Sequence, residues 1–228
     1  MLYVIFGIFA LASWLVSRRL KSKFQEYSQV PVGMTGAEVA QRMLRDNGIT
    51  DVTIRPTSGS LTDFYNPTDK TINLSESVYS SRSVAAEAVA AHETGHAIQH
   101  AQAYSFLELR TALVPLQNIS SKVLNVIFIA MFVGAIFMPE LLPYDVALLI
   151  IIAAYSLLTL FSIVTLPVEV NASQRAVNWL TNTGIIGGTT RDQAVDALKW
   201  AAYTYFIAAL SSIVTLLYYI LRYSNSRD

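Results

Sequence analysis

The chain has no cysteine. That excludes a disulfide framework and removes thiolate from any metal site, so a bound metal would be held by histidine, carboxylate and water. Histidine is scarce too: the 228 residues include three, His92, His96 and His100. Charge is thin, at 14% of residues, and 16 basic side chains cancel 16 acidic ones, so net charge gives no ground for a nucleic-acid partner. There is no internal repeat and no low-complexity tract. What the chain has in abundance is apolar surface, 53% of residues with a positive mean hydropathy, which is a membrane protein's balance.

The apolar residues gather in four runs. Leu2 to Val16 is short and precedes the basic cluster Arg18, Arg19, Lys21 and Lys23. A secretory signal carries its charge before the apolar stretch and a small-residue cleavage site after it; this run has neither and reads as a retained anchor. Leu113 to Met138 is interrupted early by Pro115, Gln117, Asn118 and Lys122, then purely apolar from Val123. Tyr144 to Leu166 is ample for a hydrocarbon core of ~30 Å, and Pro139 to Pro143 can only be a tight turn between these two. Ala201 to Leu221 is the fourth. Eleven of the 16 basic residues lie between Arg18 and Lys122 and three more between Pro167 and Trp200, while the turn has none. Basic loops stay in the cytoplasm, so both polar regions are expected there, with the N-terminus, the turn and the C-terminal tail outside. Arg222 and Arg227 oppose the last assignment. The expected fold class is an α-helical multi-pass membrane protein with about four transmembrane helices and a small α+β domain. Its parts are an anchor (residues 1–17), a polar folded domain (18–112), a transmembrane hairpin (113–166), a polar segment (167–200) and a last transmembrane helix with its tail (201–228).

Within the polar domain, Thr35-Gly36-Ala37-Glu38 is a capping box opening a helix through Asn47, which Gly48 stops. Asp51 to Arg55 alternates as a strand with Val52 and Ile54 inward, Pro56 to Ser60 is turn chemistry, and Thr71 to Leu74 is a second strand. Ile72 to Leu74 is either the cleft-edge strand on which an extended peptide could pair or an ordinary internal strand. Ser83 caps a long helix carrying His92-Glu93-Thr94-Gly95-His96, the H-E-x-x-H pattern. Residues four apart on a helix share a face about 6 Å apart along the axis, so both imidazoles can reach one metal. Glu93, about 100° round, can reach a metal-bound water without being a ligand. The plain alternative is two surface histidines on an ordinary helix.

A catalytic zinc has three protein ligands and a water. His100 lies about 12 Å beyond His92 on a continuous helix, whereas donors of one tetrahedral zinc sit within roughly 3.5 Å of each other, so His100 reads as a surface residue or a support. Glu140 and Asp145 flank the turn on the opposite face, and Glu108 is too far along the motif helix. Two crossings, an even number, return Glu169 to the side of His96. On the residues alone Glu169 is either the third ligand or a plain interfacial carboxylate. Tyr65, Tyr205 and Arg175 are available as oxyanion donors, Asn171 is either a partner orienting a ligand or solvent-exposed, and Glu87 favours the positive N-terminal end of its helix.

Ser83 to Gln99, with Leu61-Thr62-Asp63-Phe64-Tyr65-Asn66-Pro67, Leu166-Pro167-Val168-Glu169 and the N-terminal anchor, resembles the YugP-like family of bacterial membrane zinc metallopeptidases over nearly the whole chain. The resemblance implies a zincin-like domain resembling the layout of the HtpX and CAAX-prenyl membrane proteases, one catalytic zinc, His92, His96 and Glu169 as ligands, and Glu93 as general base. It departs from the family at Phe64, where histidine is usual, and at Asn171, where aspartate is usual; related membrane enzymes place an aspartate where this chain has Ser173. The implied activity is a membrane-bound metalloendopeptidase that cleaves peptides or membrane-associated proteins with a zinc-activated water, at the cytoplasmic face of a bacterial membrane. The competing reading is a non-catalytic membrane adaptor or chaperone-like protein that keeps the fold. The spans lack the buried ionisable residues that a zinc transporter would need.

Overall fold

Strand and helix assignments follow closely from local chemistry. A computed structural model of the protein describes residues 2–137 and 143–226. Met138, Arg227 and most of the expected 139–143 turn, Glu140 included, lie outside the described residues. The elements are α1 (Leu2–Tyr27), α2 (Gly36–Asp46), β1 (Thr53–Thr57), β2 (Phe64–Asn66), β3 (Thr71–Ser75), α3 (Glu76–Tyr79), α4 (Val84–Ala101), α5 (Ser105–Phe137), α6 (Tyr144–Asn182) and α7 (Thr189–Ser224). The capping box forms in full, with Thr35 Oγ1 accepting the Glu38 N–H and Glu38 accepting the Thr35 N–H. Gly48 follows with φ +69°, the left-handed conformation that closes a helix.

Among the described residues four helices, α1, α5, α6 and α7, are long and apolar enough to cross a membrane. They outrun the apolar segments: α6 has 39 residues, about 58 Å at ~1.5 Å per residue, roughly twice a hydrocarbon core. It passes through Pro167 without ending, and α5 passes through Pro115.

Two compact units can be distinguished. One comprises the chain up to Ser13, Leu109–Leu166 and the chain from Tyr205. Its core gathers Leu124, Ile127, Leu148, Ile151 and Tyr219, with the Tyr155 and Tyr219 rings stacked at 5.5 Å. Large apolar side chains such as Ile129, Phe132, Leu149 and Leu217 stay exposed, a surface suited to lipid.

The other unit, Trp14–Glu108 with Pro167–Thr204, carries His92, Glu93, His96 and Glu169. Its three-stranded sheet has the order β1-β3-β2, β1 parallel and β2 antiparallel to β3. Ile72 to Leu74 is thus the central strand, paired on both sides, and the open edge nearest α4 belongs to β2. Pro56, expected in a turn, instead lies in β1 opposite Leu74; β1 is an edge strand, where a missing N–H costs the ladder nothing. Ile72 and Leu74 are fully buried, with Val39, Met43, Val78 and the alanines of α4 from Ala85 to Ala97. Such small side chains let α4 sink into the unit, where its neighbours can approach from almost every side.

Candidate metal centre

Fourteen of the 18 residues of α4 are buried, which places the motif inside the unit and not on a solvated face. Ser83 caps the helix, its Oγ accepting the Ala86 N–H. Glu87 stands in the first turn of α4 as expected, and it is also fully buried and accepts the Met34 N–H at 3.2 Å. Burial pushes its carboxyl up to about 7, against the opposing pull of that N–H.

The opposing wall is α6, buried along the stripe Val168, Glu169, Ala172, Ala176 and Leu180. The two helices touch at Gly95, where a Cβ would stand 2.7 Å from the Ala172 carbonyl oxygen. That approach brings Glu169 Oε2 to 3.3 Å from His92 Nε2 and 3.5 Å from His96 Nε2. Donor atoms bound at ~2.0–2.1 Å to one tetrahedral zinc stand roughly 3.3–3.5 Å apart. The two carboxylate–imidazole spacings and the His2Glu donor set suit zinc, and the three residues, their ligand atoms within 4.8 Å of one another, form the metal-capable group found among the described residues. All three side chains are 12% exposed or less, and the imidazoles meet edge to face at 4.8 Å. Burial disfavours charge on His96, but the Glu169 carboxylate favours it, and the balance lies upward.

The surroundings hold these groups. Glu93 Oε2 accepts the main-chain N–H of Tyr65 in β2 at 3.0 Å. Nδ1 of His92 meets Ser173 Oγ at 3.1 Å, and Nδ1 of His96 meets Gln99 Oε1 at 3.0 Å. Gln99 reaches on to the Val168 carbonyl and to Asn171 Oδ1, which also accepts from Arg175 Nε. Asn171 is therefore bonded within the site. Gln99 escaped the sequence reading although its place one turn after His96, on the same helical face, was a usable signal.

His100 stands apart from the ligand group, half-buried, its Nδ1 2.7 Å from Tyr65 Oη. Tyr65 is thus paired with His100, and Arg175 with Asn171 and Gln102. Tyr205 belongs to the other unit. Glu108 lies not on the motif helix but on α5, beyond a break where Ala103 takes φ +49°. Asp145 accepts from Ser226 Oγ.

Two imidazoles and a carboxylate, with a further carboxylate on the same helix, form the donor arrangement of the zinc-peptidase class. The family described as "Putative neutral zinc metallopeptidase" matches residues 2–224, and the chain belongs to that family. It is 39% identical over 231 residues to "Putative membrane protease YugP" of Bacillus subtilis, covering 100% of this chain and 99% of that relative. No solved structure matches it.

Proposed function

We propose that the protein is a membrane-bound zinc-dependent metalloendopeptidase with a zincin-like catalytic domain. The observation that carries this reading is the place of Glu93, a carboxylate next in sequence to His92 and outside the group formed by His92, His96 and Glu169. A purely structural zinc site has no use for such a neighbour. His92, His96 and Glu169 would hold the metal. Zinc supplies Lewis acidity, polarising the scissile carbonyl and acidifying water. Glu93, one oxygen fixed by the Tyr65 N–H, takes the proton of the attacking water and passes it to the leaving amine as the C–N bond breaks. The substrate is a peptide or membrane-associated protein. Cleavage takes place on the cytoplasmic side, a reading supported by the basic residues between Arg18 and Lys122.

The test compares purified wild type with Glu93→Gln on casein and a peptide library, with bound zinc measured in both. Wild type should cleave, and Glu93→Gln should lose about 10²–10⁴-fold in rate while keeping its zinc. Equal, non-zero cleavage by the two would sink the assignment.

A further inference from the structure

Behind the ligand set, several groups have only one possible hydrogen-bonding role. The Val168 carbonyl can only accept, so Gln99 must turn Nε2 toward it, at 2.8 Å. The Arg175 guanidinium can only donate, so Asn171 must offer Oδ1, at 2.7 Å, and that oxygen also takes a Gln99 Nε2 hydrogen at 3.0 Å. Arg175 is itself held by Gln102 Oε1 at 2.7 Å. With both amide hydrogens directed at α6, fully buried Gln99 has only Oε1, an acceptor, for His96 Nδ1 at 3.0 Å. A hydrogen bond there requires the proton on Nδ1. In the neutral ring it leaves the lone pair on Nε2, the nitrogen 3.5 Å from Glu169 Oε2.

His92 is treated differently. Its Nδ1 meets the Ser173 hydroxyl, which can give or receive a proton, so that contact fixes neither tautomer. We propose that Gln99 is the positioning residue of the metal centre, presetting His96 in the metal-binding tautomer and tying its ring to the main chain beside Glu169, while His92 is set only when metal arrives. The proposal rests on the zinc reading of the site. Its physical consequence is that His96 and Glu169 move as one, since the amide that orients the ring is bonded to the carbonyl of Val168, the residue before Glu169.

The test uses the full chain in detergent, with zinc affinity from chelator competition and the visible absorption of the cobalt-substituted protein. Gln99→Met, similar in length but without an amide, should weaken zinc binding about 10- to 100-fold and alter the cobalt spectrum. Gln99→Glu restores an acceptor at His96 but turns a carboxylate oxygen toward the Val168 carbonyl and Asn171 Oδ1, so it should return only part of the affinity. Ser173→Ala should change it less than about threefold. A packing role alone would lower the melting temperature of metal-free Gln99→Met and leave the cobalt spectrum unchanged. Where Gln99→Met does not fold, Asn171→Ala carries the test: it removes one of the two acceptors that orient the amide and should weaken zinc about threefold. Wild-type zinc affinity and spectrum in Gln99→Met, or wild-type affinity in Asn171→Ala, overturns the proposal while the zinc reading stands. A wild type that binds neither metal overturns the zinc reading first, and this with it.

Discussion

Helix α4 and the Val168 to Arg175 stretch of α6 build one site in opposite ways. The first is sunk on nearly all sides and supplies its two imidazoles by spacing alone. The second is buried along one stripe and supplies a single carboxylate, together with the main-chain and side-chain groups that hold the imidazoles from behind. The difference teaches where each kind of information resides. A helix carries its own geometry, so the separation of His92 and His96 needs no tertiary fold. The position of Glu169 depends on a helix 73 residues further on from His96 returning to the same place, and on Gly95 allowing it to come close.

The contrast can be broken most strongly from the α6 side. Glu169→Ala should lower zinc affinity on the order of a thousandfold, ~4 kcal/mol, about a third of the ~10–16 kcal/mol typical of a whole structural site, measured by chelator competition. His100→Ala in the same assay should leave zinc binding unchanged. On the α4 side, Glu87 tests how deeply that helix is buried. Its carboxyl holds its proton more tightly folded than unfolded, with a value of about 7 against 4.5. That contribution to stability is complete below the unfolded value and is lost as pH rises through about 7. Glu87→Gln should therefore melt with the wild type at about pH 4 and above it at about pH 8, by on the order of 2–3 kcal/mol. The approach of the two helices is tested by Gly95→Ala. Its Cβ, 2.7 Å from a main-chain oxygen, should cost about 1–3 kcal/mol in melting experiments and weaken zinc binding, because α6 cannot yield without moving Glu169.

The legible parts of the fold are those with a local period or cap. Thr35 and Ser83 open the helices they are expected to open, and the described residues of the four apolar runs lie within four long helices. Strand order was not legible. β2 is three residues long, too short for an alternating pattern, and Pro56 reads as a turn until its strand proves to be an edge. The exclusion of His100 rested on helix rise and agrees with its pairing to Tyr65. The sequence could nominate Glu169 through an even count of crossings, but could not set it beside His92 and His96 without the packing of Gly95 on Ala172. The burial of Glu87 against the Met34 N–H and the role of Gln99 were missed for one reason: in a helix this deeply buried, polar side chains answer to partners in other parts of the chain.

The central claim is that α4 and α6 together close a His2Glu zinc site. X-ray absorption at the zinc edge, on purified protein loaded with one equivalent, tests it most directly. The account predicts two imidazole nitrogens at ~2.0–2.1 Å with oxygen ligands completing a four-coordinate shell, and loss of that signature in Glu169→Ala. A zinc shell with one imidazole or three, or one unchanged in Glu169→Ala, would contradict it.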